Sequence, residues 1–467
     1  MGIFAQNTSN MLHTRPILTL SLSVLLIVSS VLSADAAEPS RPRKEAPRSE
    51  FFSYDIREDA AAGTIINSQY FKSIRTRTDE NGVCAVKFYA PFAFGDRNVF
   101  FRSEGGTGAY RLWVNGHEVG GSDDTQTPSE VFISPYLIDG MNDIRIEARE
   151  PGSVAAVEAA YDEPMLPAGG NSHIFSQPKV YIEDYDVRTS PDSTTQHGLL
   201  DLHIAVRNSA RTVQLLSVGY DIYDPKGKLK TYNLKEVIML PGQRDTVRFH
   251  DIVYSTAKYL WDSNKPNLYA VTMYIKQHGK IVEYVPLDLG WGTTTYTPAT
   301  ADTPGTLLRN DAPVEIRAVE FTPKYNISVE EQVRALKRKG YNTLVLTMPA
   351  QIALYRACDR VGMYVIDCAS VSTDPRGGNR SRNGGTTLND PSYRDEILHR
   401  VEAMQRRTRN HSCVVAWSPA EGGGNGYNMY KAYELLHRLD TLRPVVYREA
   451  DGEWNSDLII NPIATLE

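Results

Sequence analysis

The chain has 467 residues, 41% of them hydrophobic and 23% charged, with a net charge of −6. These are globular proportions, and the length predicts about three domains. A slight negative charge without a basic tract excludes nucleic acid and an anionic membrane surface as expected partners. The four cysteines, Cys84, Cys358, Cys368 and Cys413, are too few and too scattered for a disulfide framework and show no metal spacing. Each is expected as a small buried apolar residue, and no metal or other cofactor is expected.

Residues 1–37 carry the pattern of a signal peptide. A short basic stretch after Met11 precedes the apolar run Ile17–Leu32, and the small residues Ala34, Ala36 and Ala37 supply a cleavage zone. An uncleaved anchor competes with this reading, but the run is short and Ala-x-Ala follows it. The expectation is a secreted or periplasmic protein. No later stretch is long and apolar enough to span a bilayer. Residues 38–50, rich in Pro, Arg, Lys and Glu, are expected to be a flexible leader.

Residues 51–178 alternate in short runs separated by Gly, Asn and Asp, which predicts an all-β domain. The clearest run is Tyr110–Val119, where Asn115-Gly116 supplies the positive φ angles of a two-residue hairpin. Pro128–Leu137 follows, then a turn at Asp139–Asn142 and a strand over Asp143–Arg149. Residues 179–297 form a second period-two region, with strands over Tyr181–Val187, Leu200–Asn208 and Gln214–Asp224, and a turn at Asp224–Gly227. This predicts a small sandwich. Residues 298–312, rich in Pro, Thr and Asp, are expected to be a linker.

In residues 313–467 strand and helix alternate. A strand at Val314–Val319 leads to a helix opened by a capping box at Ser328–Glu331 and stopped near Gly340. Strand Thr343–Met348, a helix over Ala350–Arg360 and strand Tyr364–Ala369 follow. A helix over Pro391–Arg407 starts at Asp390 with Pro at its first position. The apolar run Cys413–Trp417 is the fourth strand, helix Tyr427–Leu439 comes next, and strands at Pro444–Tyr447 and Asp457–Ile460 complete the chain. Buried strands alternating with helices predict a parallel sheet and the start of a (β/α)8 barrel.

Several ordered segments resemble glycoside hydrolase family 2, the family of β-galactosidases, β-glucuronidases and β-mannosidases. Over Trp113–Gly120, Thr127–Leu137 and Gly140–Ile144 the chain resembles the family's jelly roll. Trp261 with Pro266–Tyr269 resembles its immunoglobulin-like sandwich. Arg356–Ala369, Arg409–His411 with Val415–Ser418, and Leu442–Pro444 resemble its barrel. The resemblance implies a jelly roll, an immunoglobulin-like β sandwich and a partial (β/α)8 TIM barrel ending near strand 6, with a β-glycoside as ligand.

Family members of this retaining type need two carboxyl groups roughly 5 Å apart, one acid/base and one nucleophile. By the resemblance Glu421 takes the acid/base position at the exit of the fourth strand. A barrel spends roughly 31 residues per βα unit, so the nucleophile of strand 7 is expected beyond residue 467. Glu449, Glu453 and Glu467 are poor substitutes for it. Trp417, Asp367 and Glu449 are the candidate substrate contacts, with Trp417 read as strand core ahead of sugar platform. The surrounding pattern departs from the family: Ala420 replaces the Asn before the acid/base. Arg317-Ala-Val-Glu-Phe stands for a His-bearing turn, and Asp367-Cys368-Ala369 for D-E-A. Glu421 is then either a tuned proton donor or an inherited carboxylate, solvated or capping the helix near Asn425. The second reading is favoured, since a general acid without a nucleophile has no second step.

These features give three expectations. One is hydrolysis of a β-galactoside or β-glucuronide, weak or lost. Another is a non-catalytic carbohydrate-binding or structural protein. The third is the product of a truncated or split gene, completed by another chain; the expected protein partners are a second copy, as a homo-oligomer, or that complementing chain.

Overall fold

The computed structural model of the protein describes residues 48–63, 71–74, 83–103, 109–124, 126–148, 172–192, 194–322, 327–373 and 386–465. The expected signal peptide, most of the leader, the Gly/Arg/Asn loop Pro375–Gly385 and Glu467 lie outside the described residues. Among those described, no helix is long and apolar enough to cross a membrane.

After a short helix, α1 (Arg57–Ala62), eight strands form two antiparallel sheets. They are β1 (Phe71–Ile74), β2 (Val83–Ala90), β3 (Asn98–Ser103), β4 (Tyr110–Val114), β5 (His117–Ser122), β6 (Ser129–Phe132), β7 (Gly140–Ala148) and β8 (Ser172–Gln177). The sheet orders are β1-β8-β3-β6 and β2-β7-β4-β5. Alternation in β4 turns Tyr110, Leu112 and Val114 into a core shared with Phe101, Ile133 and Ile144. Trp113, on the opposite face, carries the Arg145 guanidinium 4.6 Å above its ring. Asn115 and Gly116 take φ angles of 50° and 83°, as the hairpin requires. The Asn115 side chain then stitches the turn down, donating to Tyr136 and Asn142 and accepting from the Asp143 amide.

A sandwich follows, made of β9 (Val180–Pro191), β10 (Gly198–Asn208), β11 (Gln214–Tyr223), β12 (Leu229–Met239), β13 (Arg244–Val253), β14 (Tyr269–Gln277) and β15 (Lys280–Leu289). One sheet runs β13-β10-β9 and the other β12-β11-β14-β15. Leu202, Ile204, Val218, Tyr220, Phe249 and Met273 meet between them. The stretch expected to be a linker is ordered. β16 (Thr294–Thr297), β17 (Thr306–Arg309) and β18 (Ala312–Pro313) pair into a small antiparallel sheet, and Asn310-Asp311 makes its tight turn with φ 51° and 63°.

The parallel sheet consists of β19 (Ala318–Phe321), β20 (Thr343–Leu346), β21 (Tyr364–Cys368), β23 (Val414–Ser418) and β25 (Ile463–Ala464), in the order β23-β21-β20-β19-β25. Two short strands, β22 (Ser372–Thr373) and β24 (Glu421–Gly422), pair beyond the ends of β21 and β23. The helices are α2 (Val329–Arg338), α3 (Ile352–Val361), α4 (Arg394–Thr408) and α5 (Tyr427–Leu439). Every residue of β20, β21 and β23 is buried, which follows from helical cover over a parallel sheet.

Four local expectations need correction. The first strand is Ala318–Phe321, while Val314 instead donates its amide to Leu307 of the preceding hairpin. Ser328 precedes α2 but makes no side-chain cap bond; Glu330 and Glu331 in the first turn and Lys337 and Arg338 in the last meet the helix dipole instead. Pro391–Tyr393 is a 3-10 turn whose Ser392 amide is capped by Asp390, and α4 begins after it. Finally, the segment expected as the sixth strand forms no regular strand at Asp457–Ile460. Asp457 donates its amide to Val445 while its carbonyl accepts from Ala299, and the chain then lays Ile463–Ala464 against β19. Val445 itself is joined to Trp417 by a single parallel bridge. The described residues contain no closed barrel.

The end of the expected leader is also ordered. Ser49 and Glu50 are buried, and Glu50 lies between Arg102 of the jelly roll and Arg407 of α4. Arg48 pairs with Glu130 of β6. A charged composition looks solvated in sequence; here the jelly roll and the helical layer supply the opposite charges.

Candidate active site

The carboxyl ends of β19, β21 and β23 point to one rim, where side chains can reach a ligand without disturbing the core. β23 ends at Ser418, and Pro419-Ala420 leads into Glu421. The Glu421 amide donates to Val371 at 2.9 Å, which continues the sheet past its regular end. Gly422, Gly423 and Gly424 follow with φ of 74°, 84° and 82°, a left-handed run that glycine tolerates and side chains do not. The turn thus holds Glu421 at the rim, its side chain 23% exposed.

Glu421 is ion-paired to Arg448, the residue directly after the apolar run Pro444–Tyr447. The same guanidinium reaches Glu320 of β19 at 3.4 Å. One cation therefore bridges a carboxylate on the first parallel strand and one just beyond the end of the fourth. Glu421 does not cap α5: the Tyr427 amide at the head of that helix is met by the Asn389 side chain at 2.9 Å. Nor is it merely solvated, since Arg448 holds it.

The other proposed contacts fall in different places. Trp417 is fully buried, its indole donates to Asp440 at 3.0 Å, and Arg443 stacks 4.5 Å from its ring. It is strand core, and the sugar-platform role is corrected. Asp367 is likewise fully buried. It accepts from Tyr355 at 2.7 Å, Thr408 at 2.6 Å and the Cys368 amide at 3.0 Å, so it ties β21 to α3 and α4 rather than facing the rim. Burial raises its carboxyl above the usual range despite those bonds and nearby Arg407. Glu449 is partly buried in the 3-10 turn Arg448–Ala450, beside the arginine that reaches Glu421. Glu453 accepts from Tyr430 at the surface.

The reading of the sequence missed Glu320 and Arg448. In the sequence Glu320 reads as part of a lost His turn, although a carboxylate near the end of a buried strand is itself a rim signal. Arg448 directly follows the apolar run Pro444–Tyr447, and Glu421 comes shortly after an apolar strand, so that placement was available.

All four cysteines are buried. Cys413 belongs to a tight cluster in which its amide donates to Asp359 at 2.8 Å and the His411 ring lies 2.6 Å from the same carboxylate. Burial, then Asp359, pushes the Cys413 thiol well up, so it stays protonated and packs as an apolar group.

Two family models match the chain: "Glycosyl hydrolases family 2, TIM barrel domain" over residues 326–466 and "Glycosyl hydrolases family 2" over residues 180–291. The chain is 26% identical over 400 residues to a β-galactosidase of Pectobacterium atrosepticum, covering 79% of this chain and 35% of that one. It is 26% identical over 380 residues to a β-galactosidase of Vibrio cholerae, covering 77% and 35%. The chain thus spans about a third of the length of the curated relatives it matches. Among solved structures, it is similar to a glycosyl hydrolase family 2 member from Bacteroides cellulosilyticus, at TM-score 0.62 and 19% identity over 78% of this chain and 49% of that one. A Bacteroides uniformis β-glucuronidase gives TM-score 0.64 at 15% identity over 87% and 52%. At these identities the two structures speak to the fold.

Proposed function

The chain belongs to glycoside hydrolase family 2, and from that membership we propose that its rim binds a β-galactoside or β-glucuronide with little or no turnover. The bridge Glu320–Arg448–Glu421 carries this reading. A general acid must hold its proton before it can give it, and a guanidinium partner favours the carboxylate instead. In this reading Glu421 keeps the acid/base position, Arg448 silences it, and the polar rim offers hydroxyl-binding groups. Ala420 leaves out the amide that would bind the sugar 2-hydroxyl and strengthen in the transition state. The parallel sheet stands for the early strands of the family's barrel. Residues 1–37 direct the protein to the periplasm or the outside.

The test is a panel of nitrophenyl β-glycosides together with a glycan array. The expected result is glycan binding that survives Glu421→Gln, with no hydrolysis by either form. A second reading, retaining hydrolysis, is favoured by the β-galactosidase likenesses. Turnover that disappears in Glu421→Gln would establish it and overturn the first. Hydrolysis that arises on mixing with a second chain carrying a strand-borne Glu would identify a complementing partner.

A further inference from the structure

The three-stranded sheet of the sandwich carries a cluster that is independent of the rim. Asp201 and His203 lie two residues apart on β10, so alternation places them on one face, away from buried Leu200, Leu202 and Ile204. His250 on β13 is the register partner of Asp201, which sets it opposite that carboxylate on the same face. The result is a 2-His-1-carboxylate group. Asp201 Oδ1 lies 3.0 Å from His203 Nε2 and 2.9 Å from His250 Nδ1, and the three ligand atoms lie within 4.8 Å of one another.

Those distances alone would suit a carboxylate hydrogen-bonded to two imidazoles, but the bonds are not made. Asp201 Oδ1 and His203 Nε2 are both shielded from solvent, and neither has a hydrogen-bond partner. Two buried polar atoms that meet without an aligned hydrogen bond leave a cost that a third body can remove. The geometry points to a binding site for a divalent transition-metal ion, specifically Zn²⁺, held by Asp201, His203 and His250. Imidazole nitrogen and carboxylate oxygen are ligands suited to that ion. At tetrahedral bond lengths of about 2.0–2.1 Å, neighbouring ligand atoms stand roughly 3.3 Å apart. The Asp201–His203 and Asp201–His250 pairs, now at 3.0 Å and 2.9 Å, therefore need to spread by only a few tenths of an ångström.

Entry and a fourth ligand are available, because the side chains of His203, Asp201 and His250 are 33%, 41% and 67% exposed. The charged neighbours on this face are Arg188, opposite Asp201, and Asp186 and Arg248, both opposite His203. Arg188 turns to Asp186 at 3.5 Å, and Arg248 donates to the Thr246 carbonyl at 3.4 Å. No sequence spacing reveals the site, since His250 comes from a different strand 47 residues after His203.

The experiment uses the whole chain, stripped with a chelator and titrated with ZnCl2 by calorimetry and with CoCl2 by visible absorption. One ion per chain is expected, with a Tm that rises with ZnCl2. His250→Ala should weaken binding at least about 100-fold and abolish the Co²⁺ bands, because a direct ligand matters more than the outer-shell partners whose loss costs 10–100-fold. Asp201→Asn should act in the same direction, which keeps the test sound if one variant folds poorly. His117→Ala, on the jelly roll, should leave the stoichiometry unchanged. Absence of binding by the wild type, or binding by both His250→Ala and Asp201→Asn as tight as the wild type's, overturns the proposal.

Discussion

The seam between jelly roll and helical layer and the rim of the parallel sheet use the same chemistry in different solvents. At the seam Glu50 lies between Arg102 and Arg407, with side-chain exposures of 2%, 6% and 4%. At the rim Arg448 lies between Glu320 and Glu421, with exposures of 35%, 31% and 23%. Removing water makes each charge depend wholly on its partner, so losing one member strands the others. Where water still reaches the pair, it screens the attraction and takes over when the pair is cut. The seam is therefore a structural commitment, and the rim is a place where charges can rearrange around a ligand.

The comparison breaks most visibly at Arg407. Arg407→Met leaves Asp367 buried without its nearby cation and Glu50 with Arg102 alone, and the expected loss is about 3–5 kcal/mol in urea unfolding at pH 7. A loss below about 1 kcal/mol would mean that water penetrates the seam. The loss should also depend on pH. Burial pulls the Glu50 carboxyl upward, but Arg102 and Arg407 outweigh it and hold it below the ordinary 4.5. A depressed carboxyl stabilises the fold above its unfolded value, and that contribution fades as pH falls through the folded one. Asp440, beneath the rim, is the next test. Burial works against its charge, yet Arg443 and hydrogen bonds from Leu442 and Trp417 hold its carboxyl at about 2 against the ordinary 3.8. Asp440→Asn should cost about 2 kcal/mol at pH 7, and the difference from wild type should vanish as pH drops from about 4 to about 2. A difference that persists at pH 2 would assign the loss to packing on Trp417 instead.

Local features of the fold were legible because single residues dictate them. Asn115-Gly116 permits one kind of turn, and the glycine run after Glu421 permits a backbone few other residues allow. Buried apolar runs gave the parallel strands from Thr343 to Ser418. What escaped was everything whose cause lies far along the chain. Arg48–Glu50 and the hairpin around Asn310 have the composition of solvated segments, and their order comes from partners in other domains. Pairing of Ile463–Ala464 with β19 is likewise a contact between distant segments. At the candidate site, Glu421 was legible from its strand. Arg448 was legible only as the residue after an apolar run; its pairing with Glu421 was not, because an ion pair between residues 27 apart leaves no local signal. Trp417 and Asp367 carry ligand-like chemistry in sequence, and only burial shows that they hold the core.

The smallest expected effect sharpens the comparison from the other side. Arg448→Met should change stability by less than about 1 kcal/mol at low salt, because all three members of the rim bridge remain in reach of water. Salt then separates the two regions. In about 1 M NaCl the screening length falls to roughly 3 Å, so the difference between Arg448→Met and wild type should disappear. The larger loss in Arg407→Met should persist, because salt does not enter a buried seam. Urea midpoints of the two variants at low and high salt measure both at once. If Arg448→Met proves as costly as Arg407→Met and equally indifferent to salt, the bridge is a structural clasp and the rim has no freedom to admit a sugar. If it behaves as expected, Glu421 is held by an attraction weak enough for a ligand to displace, as a binding rim requires.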